Sequence, residues 1–343
     1  MFFASDNAGP VHPKIMDRVI KANEGYAPAY GADADMEEAR EGIRALFEAP
    51  DAAVYLVATG TAANALALAC YAQPWQTVFC SRVSHIEMDE CNAPEFYAGG
   101  SKLTLIDTDD QMTPPGLRAA IEGQEAGDVH MAQRGPVSIT QVTERGTVHD
   151  LDQLKALTDV ARQHKLPVHM DGARFCNAVV ALGCTPAEMT WKAGVDVVCF
   201  GGTKNGCMGV EAVVFFDPEK AWEFELRRKR GAHLFSKHRY LSAQMAGYLE
   251  GDLWREMARQ ANENADYLAQ GLSARGIGFL HEVHANMLFP LIPRRIHCAL
   301  AEAGARYRRD GGLDGDPEEL ISARLVCDWS ISRDHIDTFL SHF

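Results

Sequence analysis

Positive charge is what this sequence has least of. Among 343 residues, 33 Lys plus Arg face 47 Asp plus Glu, a formal net charge of −14 with histidine neutral. Such a surface repels phosphodiester polymers and anionic lipid, so nucleic acid and membrane surfaces are not expected partners. A small anion is not excluded, because a few local Arg, Lys and helix N-termini can reverse the potential inside one cleft. Long hydrophobic runs are missing too, none approaching the ~18 apolar residues of a membrane span. The nine cysteines, at 70, 80, 91, 176, 184, 199, 207, 298 and 327, form no C-x-x-C pair and no zinc-ligand spacing. No metal site is therefore expected, and the odd cysteine number fits a reducing cytoplasm. The opening Met-Phe-Phe-Ala-Ser-Asp-Asn has neither the basic segment nor the apolar stretch of an export signal, so a cytoplasmic location is expected. Repeats, low-complexity tracts and long linkers are absent, and Asp310–Asp316, rich in glycine and aspartate, is the one flexible loop expected.

What is present is the pattern of an α/β protein. With 47% apolar and 23% charged residues the composition is that of an ordinary globular chain, and 343 residues exceed what one core usually holds. Apolar segments of strand length alternate with segments of helical period. The spacing predicts strands at Val54–Ala58, Thr77–Cys80, Lys102–Asp107, Val137–Val142, Leu166–Asp171, Val195–Phe200 and Glu211–Phe216, forming a mostly parallel sheet. The link from Phe200 to Glu211 is glycine-rich and too short for a parallel crossover, so the last strand should run antiparallel. Helices are expected at Thr61–Tyr71, with Leu66, Ala69 and Cys70 on one face, and at Asp152–His164, with Leu154, Leu157, Val160 and Ala161. Residues 1–48 read as an N-terminal arm with two helices, 49–250 as the large sheet domain, and 251–343 as a small α+β C-terminal domain.

Three strand ends carry the chemistry. Val168-His169-Met170-Asp171-Gly172-Ala173-Arg174 ends an apolar strand in an aspartate followed by small residues, and ligands of open α/β sheets bind at such carboxyl ends. Gly201-Gly202-Thr203-Lys204-Asn205-Gly206 presents a lysine in another strand-end turn; it lacks the spacing of a P-loop, which sets triphosphatase chemistry aside. Thr59-Gly60-Thr61-Ala62-Ala63-Asn64 opens a helix whose free N–H groups suit a phosphate. Read as three neighbouring strand ends, these offer an anion cradle, a carboxylate and an amine. Pyridoxal 5′-phosphate asks for that combination: an anchored phosphate, a pyridinium nitrogen kept protonated by a carboxylate, and an aldehyde held by a lysine.

Taken in order, Ser5-Asp6-Asn7, Ala29-Tyr30-Gly31, Gly60-Thr61-Ala62-Ala63-Asn64, Ser84-His85-Ile86-Glu87, His169 to Arg174 and Gly201 to Gly206 resemble the threonine aldolases. The likeness runs nearly end to end, and Ala93-Pro94-Glu95 and Thr190-Trp191-Lys192-Ala193-Gly194 resemble the bacterial low-specificity and phenylserine-type branch. The resemblance implies a fold-type I pyridoxal-phosphate lyase that cleaves L-β-hydroxy-α-amino acids, such as L-threonine, L-allo-threonine or L-phenylserine, to glycine and an aldehyde. It implies Lys204 as the Schiff-base lysine, Asp171 as the pyridinium partner, and Gly60 with Thr61 as the phosphate site. By the same likeness His85 stacks on the pyridine and joins in proton transfer, Arg174 lies near the cofactor and the substrate carboxylate, and Ser5 with Arg324 holds that carboxylate. A homodimer or homotetramer with sites at the dimer interface is implied as well, Tyr30 lining the pocket across it.

Two positions stay open. A subset of the family places a second histidine where this chain has Glu144 in Thr143-Glu144-Arg145-Gly146; the carboxylate either accepts the substrate's hydroxyl proton, directly or through water, or pairs with Arg145 or another nearby basic group. Lys237, in Ser236-Lys237-His238-Arg239, either reaches a cofactor phosphate from a neighbouring subunit or belongs to a solvated basic helix face. A β-eliminating lyase or an aminotransferase shares most of this site, and a non-catalytic pyridoxal-phosphate protein would retain it.

Overall fold

The computed structural model describes all residues, Met1–Phe343. All seven apolar runs become strands of one sheet: β1 (Ala53–Val57), β2 (Gln76–Ser81), β3 (Lys102–Ile106), β4 (Gln133–Thr140), β5 (Val168–Gly172), β6 (Val197–Gly201) and β7 (Glu211–Phe215). Their spatial order is β1-β7-β6-β5-β4-β2-β3. Only β7 runs against the rest, antiparallel to both β6 and β1, as the short link before it requires. Residues of β5, β6 and β7 are buried throughout, the state of strands covered on both faces. Along β6 the side chains alternate, Val198 and Phe200 entering one core and Val197 and Cys199 the other.

Contrary to the expected row of three neighbouring strand ends, the strands that end before Gly60 and Lys204 are not neighbours, because β7 returns beside β6 and takes the place between β6 and β1. Being antiparallel to both, β7 leaves β1 and β6 pointing the same way, with Val57 and Gly201 each opposite Glu211 at one edge of the sheet. The phosphate cradle and the lysine thus share an edge while sitting two strands apart.

The helices are α1 (Pro13–Ala22), α2 (Ala34–Leu46), α3 (Gly60–Tyr71), α4 (His85–Met88), α5 (Ala93–Tyr97), α6 (Pro114–Glu122), α7 (Leu151–Gln163), α8 (Phe175–Leu182), α9 (Pro186–Met189), α10 (Ala221–Arg230), α11 (Arg239–Leu249) and α12 (Leu253–Ser273). α7 has the expected face, with Leu154, Leu157, Val160 and Ala161 buried and an Asp150–Gln153 capping box at its start. α3 departs from the one-faced helix: every residue from Ala62 to Cys70 is buried. It lies between the sheet and α5 and α10, with Val57, Phe215 and Phe224 in its core, and its alanines permit the close approach. A helix buried all round shows no polar side in its sequence.

Small strands β8 (Met287–Leu288), β9 (Leu291–Pro293), β10 (Arg308–Arg309) and β11 (Leu320–Val326), with α13 (Arg294–Glu302) and α14 (Arg333–Leu340), form the C-terminal unit. Phe3 belongs to its core: the Phe3 N–H donates to the Arg306 carbonyl at 2.7 Å, and the Val326 N–H donates to the Phe3 carbonyl at 2.9 Å. The start of the chain is thereby stitched to β11, which carries Arg324. α12 joins the two cores, burying Trp254, Met257 and Ala258 in the large one and Ala265, Leu268 and Leu272 in the small one. Truncating one of these leucines to Ala would cost about 2–5 kcal/mol. The expected boundary near residue 250 falls at the turn that opens α12.

Candidate active site

Lys204 sits in a single 3₁₀ turn between β6 and β7. Asn205 fixes that turn, its Nδ2 donating to the Tyr248 hydroxyl at 2.7 Å and the Trp254 carbonyl at 2.8 Å, while the Tyr248 hydroxyl donates to the Gly201 carbonyl at 3.1 Å. Gly206 closes the turn at φ +101°, where a Cβ would also strike Met257 Sδ at 2.5 Å. The half-buried Lys204 ammonium is left without a paired carboxylate. Beneath it Glu211 is fully enclosed, its Oε2 accepting the Gly202 N–H at 2.9 Å, and burial pushes its carboxyl up to about 7. Neither Asn205, Tyr248 nor Glu211 was legible as a site residue, since each acts through a contact that no local motif announces.

Asp171 is the penultimate residue of β5 and is 2% exposed. Its Oδ1 accepts the Ala173 N–H at 3.0 Å, and its Oδ2 accepts from Asn64 Nδ2 at 3.0 Å. Asn64 is the polar residue of the all-buried α3, and the same Nδ2 donates to Glu90 Oε1 at 2.9 Å. Glu90 in turn holds His85 Nδ1 at 2.8 Å. The hydrogen bond to Glu90 raises the His85 imidazole above its ordinary range against the effect of partial burial, with Asp171 and Glu144 adding to it. Burial raises Glu90 as well, opposed by its bond to His85. His85, Glu90 and Asp171 approach within 4.8 Å of one another, but Asn64 donates to both carboxylates, which makes a hydrogen-bonded network rather than a cation cage.

Arg174 is buried at the start of α8, and its partner is Asp6: Nε donates to Oδ2 at 2.7 Å and Nη2 to Oδ1 at 3.0 Å. Asn286 Nδ2 adds a bond to Asp6 Oδ2 at 3.1 Å. Burial alone would raise the Asp6 carboxyl; the charges of Arg174 and Lys204 overcome it and hold it below the usual range. Two of the guanidinium's nitrogens are thus committed, and Nη1 is its remaining donor group. Arg324 is the complementary case. Its Nη2 makes one long bond, 3.3 Å, to the Ala4 carbonyl, and its Nε is buried with no acceptor at all. Burial and the nearby Arg174 lower its affinity for the proton, so an incoming carboxylate would find an unsatisfied guanidinium. Ser5 caps the short turn at Asp6–Ala8, its Oγ accepting the Asn7 N–H at 3.1 Å.

Glu144 does not pair with Arg145, whose Nε donates to the Asp109 carbonyl at 3.4 Å. It lines a cleft of about 150 Å³ with Val83, Met88, Phe289, Arg308 and Arg324, and its charge acts on His85, Arg174 and Arg324. Tyr30 and Lys237 are exposed and bond to none of these groups within the subunit. Tyr30 rests on Ser236 and under Lys229, and Lys237 borders a groove of about 550 Å³ with Met208, Phe235 and Tyr240. A cavity of about 730 Å³, lined by Asp110, Asp150, His281 and His284 among others, contains none of the expected site residues.

The residues present fit pyridoxal phosphate. Thr59 caps α3 through the Ala62 N–H at 3.2 Å, which leaves the Gly60 and Thr61 amides ahead of it for a ligand, and a Cβ on Gly60 would meet nothing within 4 Å. An open anion cradle, an unpaired amine and a buried carboxylate fixed by two donors lie along one sheet edge.

Comparison with known proteins adds lineage to geometry. A family model described as "Beta-eliminating lyase" matches residues 3–292. A low-specificity L-threonine aldolase of Pseudomonas aeruginosa is 42% identical over 330 residues, 95% of this chain and 92% of its own. The Leishmania major threonine aldolase structure superposes with a TM-score of 0.90 at 25% identity, covering 99% of this chain and 97% of that one. A Sphingomonas wittichii serine palmitoyltransferase shares the fold at a TM-score of 0.72 and 14% identity, covering 100% of this chain and 86% of its own.

Proposed function

The chain belongs to the β-eliminating lyase family and, within it, to the threonine aldolases; from that premise we propose that it cleaves L-β-hydroxy-α-amino acids such as L-threonine, L-allo-threonine and L-phenylserine to glycine and an aldehyde, and runs the reverse addition. The observation that carries this reading is an unpaired Lys204 amine and the buried Asp171 carboxylate at one edge of the large sheet, joined by an Arg324 guanidinium from β11 that lacks an anion and feels the charges of Arg174 and Glu144.

When bound, pyridoxal phosphate supplies the electron sink that takes up the Cα–Cβ bonding pair. In this reading the Gly60 and Thr61 amides would hold its phosphate, Asp171 would keep its ring nitrogen protonated, and Lys204 would anchor its aldehyde. Arg324, Ser5 and the free Nη1 of Arg174 grip the substrate's α-carboxylate. Fixing the carboxylate would orient the substrate's Cα and so select which of its bonds is broken. The β-hydroxyl proton goes to His85, to Glu144 or to a bound water, and the charge of Glu144 on His85 supports the two side chains as a coupled pair.

The same reading makes the working unit a homodimer or homotetramer, with Tyr30 and Lys237 completing a neighbour's site; both are exposed on the subunit, Lys237 beside exposed Met208 and Phe235. The nine cysteines are all unpaired, which supports a reducing, cytoplasmic setting. No helix is long and apolar enough to cross a membrane. Borohydride reduction of the loaded protein followed by peptide mass spectrometry tests the anchor: the pyridoxyl label should fall on Lys204, and label on another lysine would overturn the assignment.

A further inference from the structure

Glu90 is a buried carboxylate that the cofactor site does not call for. It is 4% exposed, its Oε2 has no partner and neither has Asn64 Oδ1, so it is not a satisfied structural cross-link. Its one ionisable hydrogen-bond partner is His85, five residues earlier. The backbone bends to achieve this contact: Cys91 and Asn92, directly after Glu90, both adopt left-handed conformations, at φ 50° and 60°. Asn tolerates that region; a cysteine held there costs on the order of 1 kcal/mol. Asn64 then sets the carboxylate's direction, its single Nδ2 bridging Glu90 Oε1 to Asp171 Oδ2.

Against an ionised carboxylate, His85 keeps its proton on Nδ1 and donates it to Glu90. Nε2 is left bare on a ring whose side chain remains 28% exposed. We infer that Glu90 is a positioning residue for His85, fixing the tautomer in which Nε2 is left free as a proton acceptor and offsetting the charge that appears when it accepts. The inference deepens the retro-aldol reading and rests on it. In the step, the substrate's O–H bond breaks and its electron pair becomes the second bond of the departing aldehyde's carbonyl. The proton rides on Nε2. It is also the proton that the α-carbon of glycine must gain, so the cleavage balances with no outside acid or base. Besides Glu90, the charged groups acting on His85 are Asp171 from β5 and Glu144 from the loop after β4.

Glu90→Gln and Glu90→Leu test this: with its amide oxygen in the place of Oε1, which accepts from both His85 Nδ1 and Asn64 Nδ2, the Gln still holds the ring but carries no charge to offset the imidazolium, whereas Leu removes the acceptor as well. Nitrogen-resolved NMR of the histidines in cofactor-free protein should show His85 protonated at Nδ1 in the wild type and in Glu90→Gln, and shifted toward Nε2 in Glu90→Leu. The His85 titration midpoint should fall in Glu90→Gln, which lacks the charge. With cofactor bound, kcat for L-allo-threonine cleavage should drop on the order of 10²-fold while KM moves less than about threefold, and the acid limb of the kcat profile should move with His85. Glu90→Asp should recover part of the rate. An unchanged titration midpoint in Glu90→Gln, an unchanged tautomer in Glu90→Leu, or a loss confined to KM, would overturn the inference. If Glu90→Gln does not fold, the wild-type tautomer and the rate of Glu90→Asp decide. Wild-type protein without cleavage activity would sink the retro-aldol reading instead, leaving the NMR result to judge the Glu90–His85 pairing on its own.

Discussion

Replacing Asp6 by Asn should injure the fold more than any other change of one atom near the site. The side chains of Asp6 and Arg174 are 1% and 5% exposed, and two hydrogen bonds of 2.7 and 3.0 Å join them. An amide can accept from only one of the guanidinium nitrogens, and it leaves a buried positive charge without its counter-ion. Removing one partner of such a pair costs about 3–5 kcal/mol. The check is urea unfolding of the cofactor-free protein in a double-mutant cycle with Arg174→Met. The double variant buries no charge at this position, so its loss should fall well short of the sum of the two single losses, with a coupling of about 2 kcal/mol or more. The pH dependence has a definite sign. Asp6 is held below the usual carboxylate range when folded, so its contribution is complete above the unfolded carboxylate's pKa of about 4 and is lost as pH falls through the lower folded value. Asp6→Asn should lack that acid limb. A loss under about 1 kcal/mol, or an additive cycle, would refute the view that this pair is the rigid floor of the site.

Three further outcomes follow from the geometry. Glu211 is raised to about 7 when folded, so the stability it permits is complete below the unfolded pKa near ~4 and declines as pH rises through 7; Glu211→Gln should flatten that decline and be the more stable protein at pH 8, as read by urea midpoints. Gly60→Val would fill the open space at the start of α3, and titration by absorbance should show cofactor affinity down at least about tenfold with the unfolding midpoint little changed. Arg324→Met removes the unsatisfied guanidinium; steady-state kinetics should show kcat/KM lowered on the order of 10²-fold, mostly through KM, with cofactor binding intact.

The strands were legible because the sheet is covered on both faces and each strand is a short, nearly continuous apolar run. So were Asp171 and Lys204, because strand-end placement beside glycines is a local feature. Arg174 was legible as a residue but not in its partner: Asp6 lies 168 positions away, and the Ser5-Asp6-Asn7 run that carries the resemblance does not announce a contact with Arg174. Glu90 and Asn64 were hidden for the same reason, being joined across 26 positions, with Asn64 set in a run of alanines and leucines that carries no polar face. The order of the strands was also out of reach at one point. A short link fixes that β7 turns back beside β6, but which strand borders its other edge depends on the packing of α3 across the sheet.

The central claim is that the site breaks the Cα–Cβ bond rather than expelling a group from Cβ. Incubating the pyridoxal-phosphate-loaded protein with L-allo-threonine and with L-threonine, and measuring every product, tests it most directly. The account predicts glycine and acetaldehyde in equal amounts, and neither from Lys204→Ala. Ammonia and 2-oxobutyrate as the main products would contradict it.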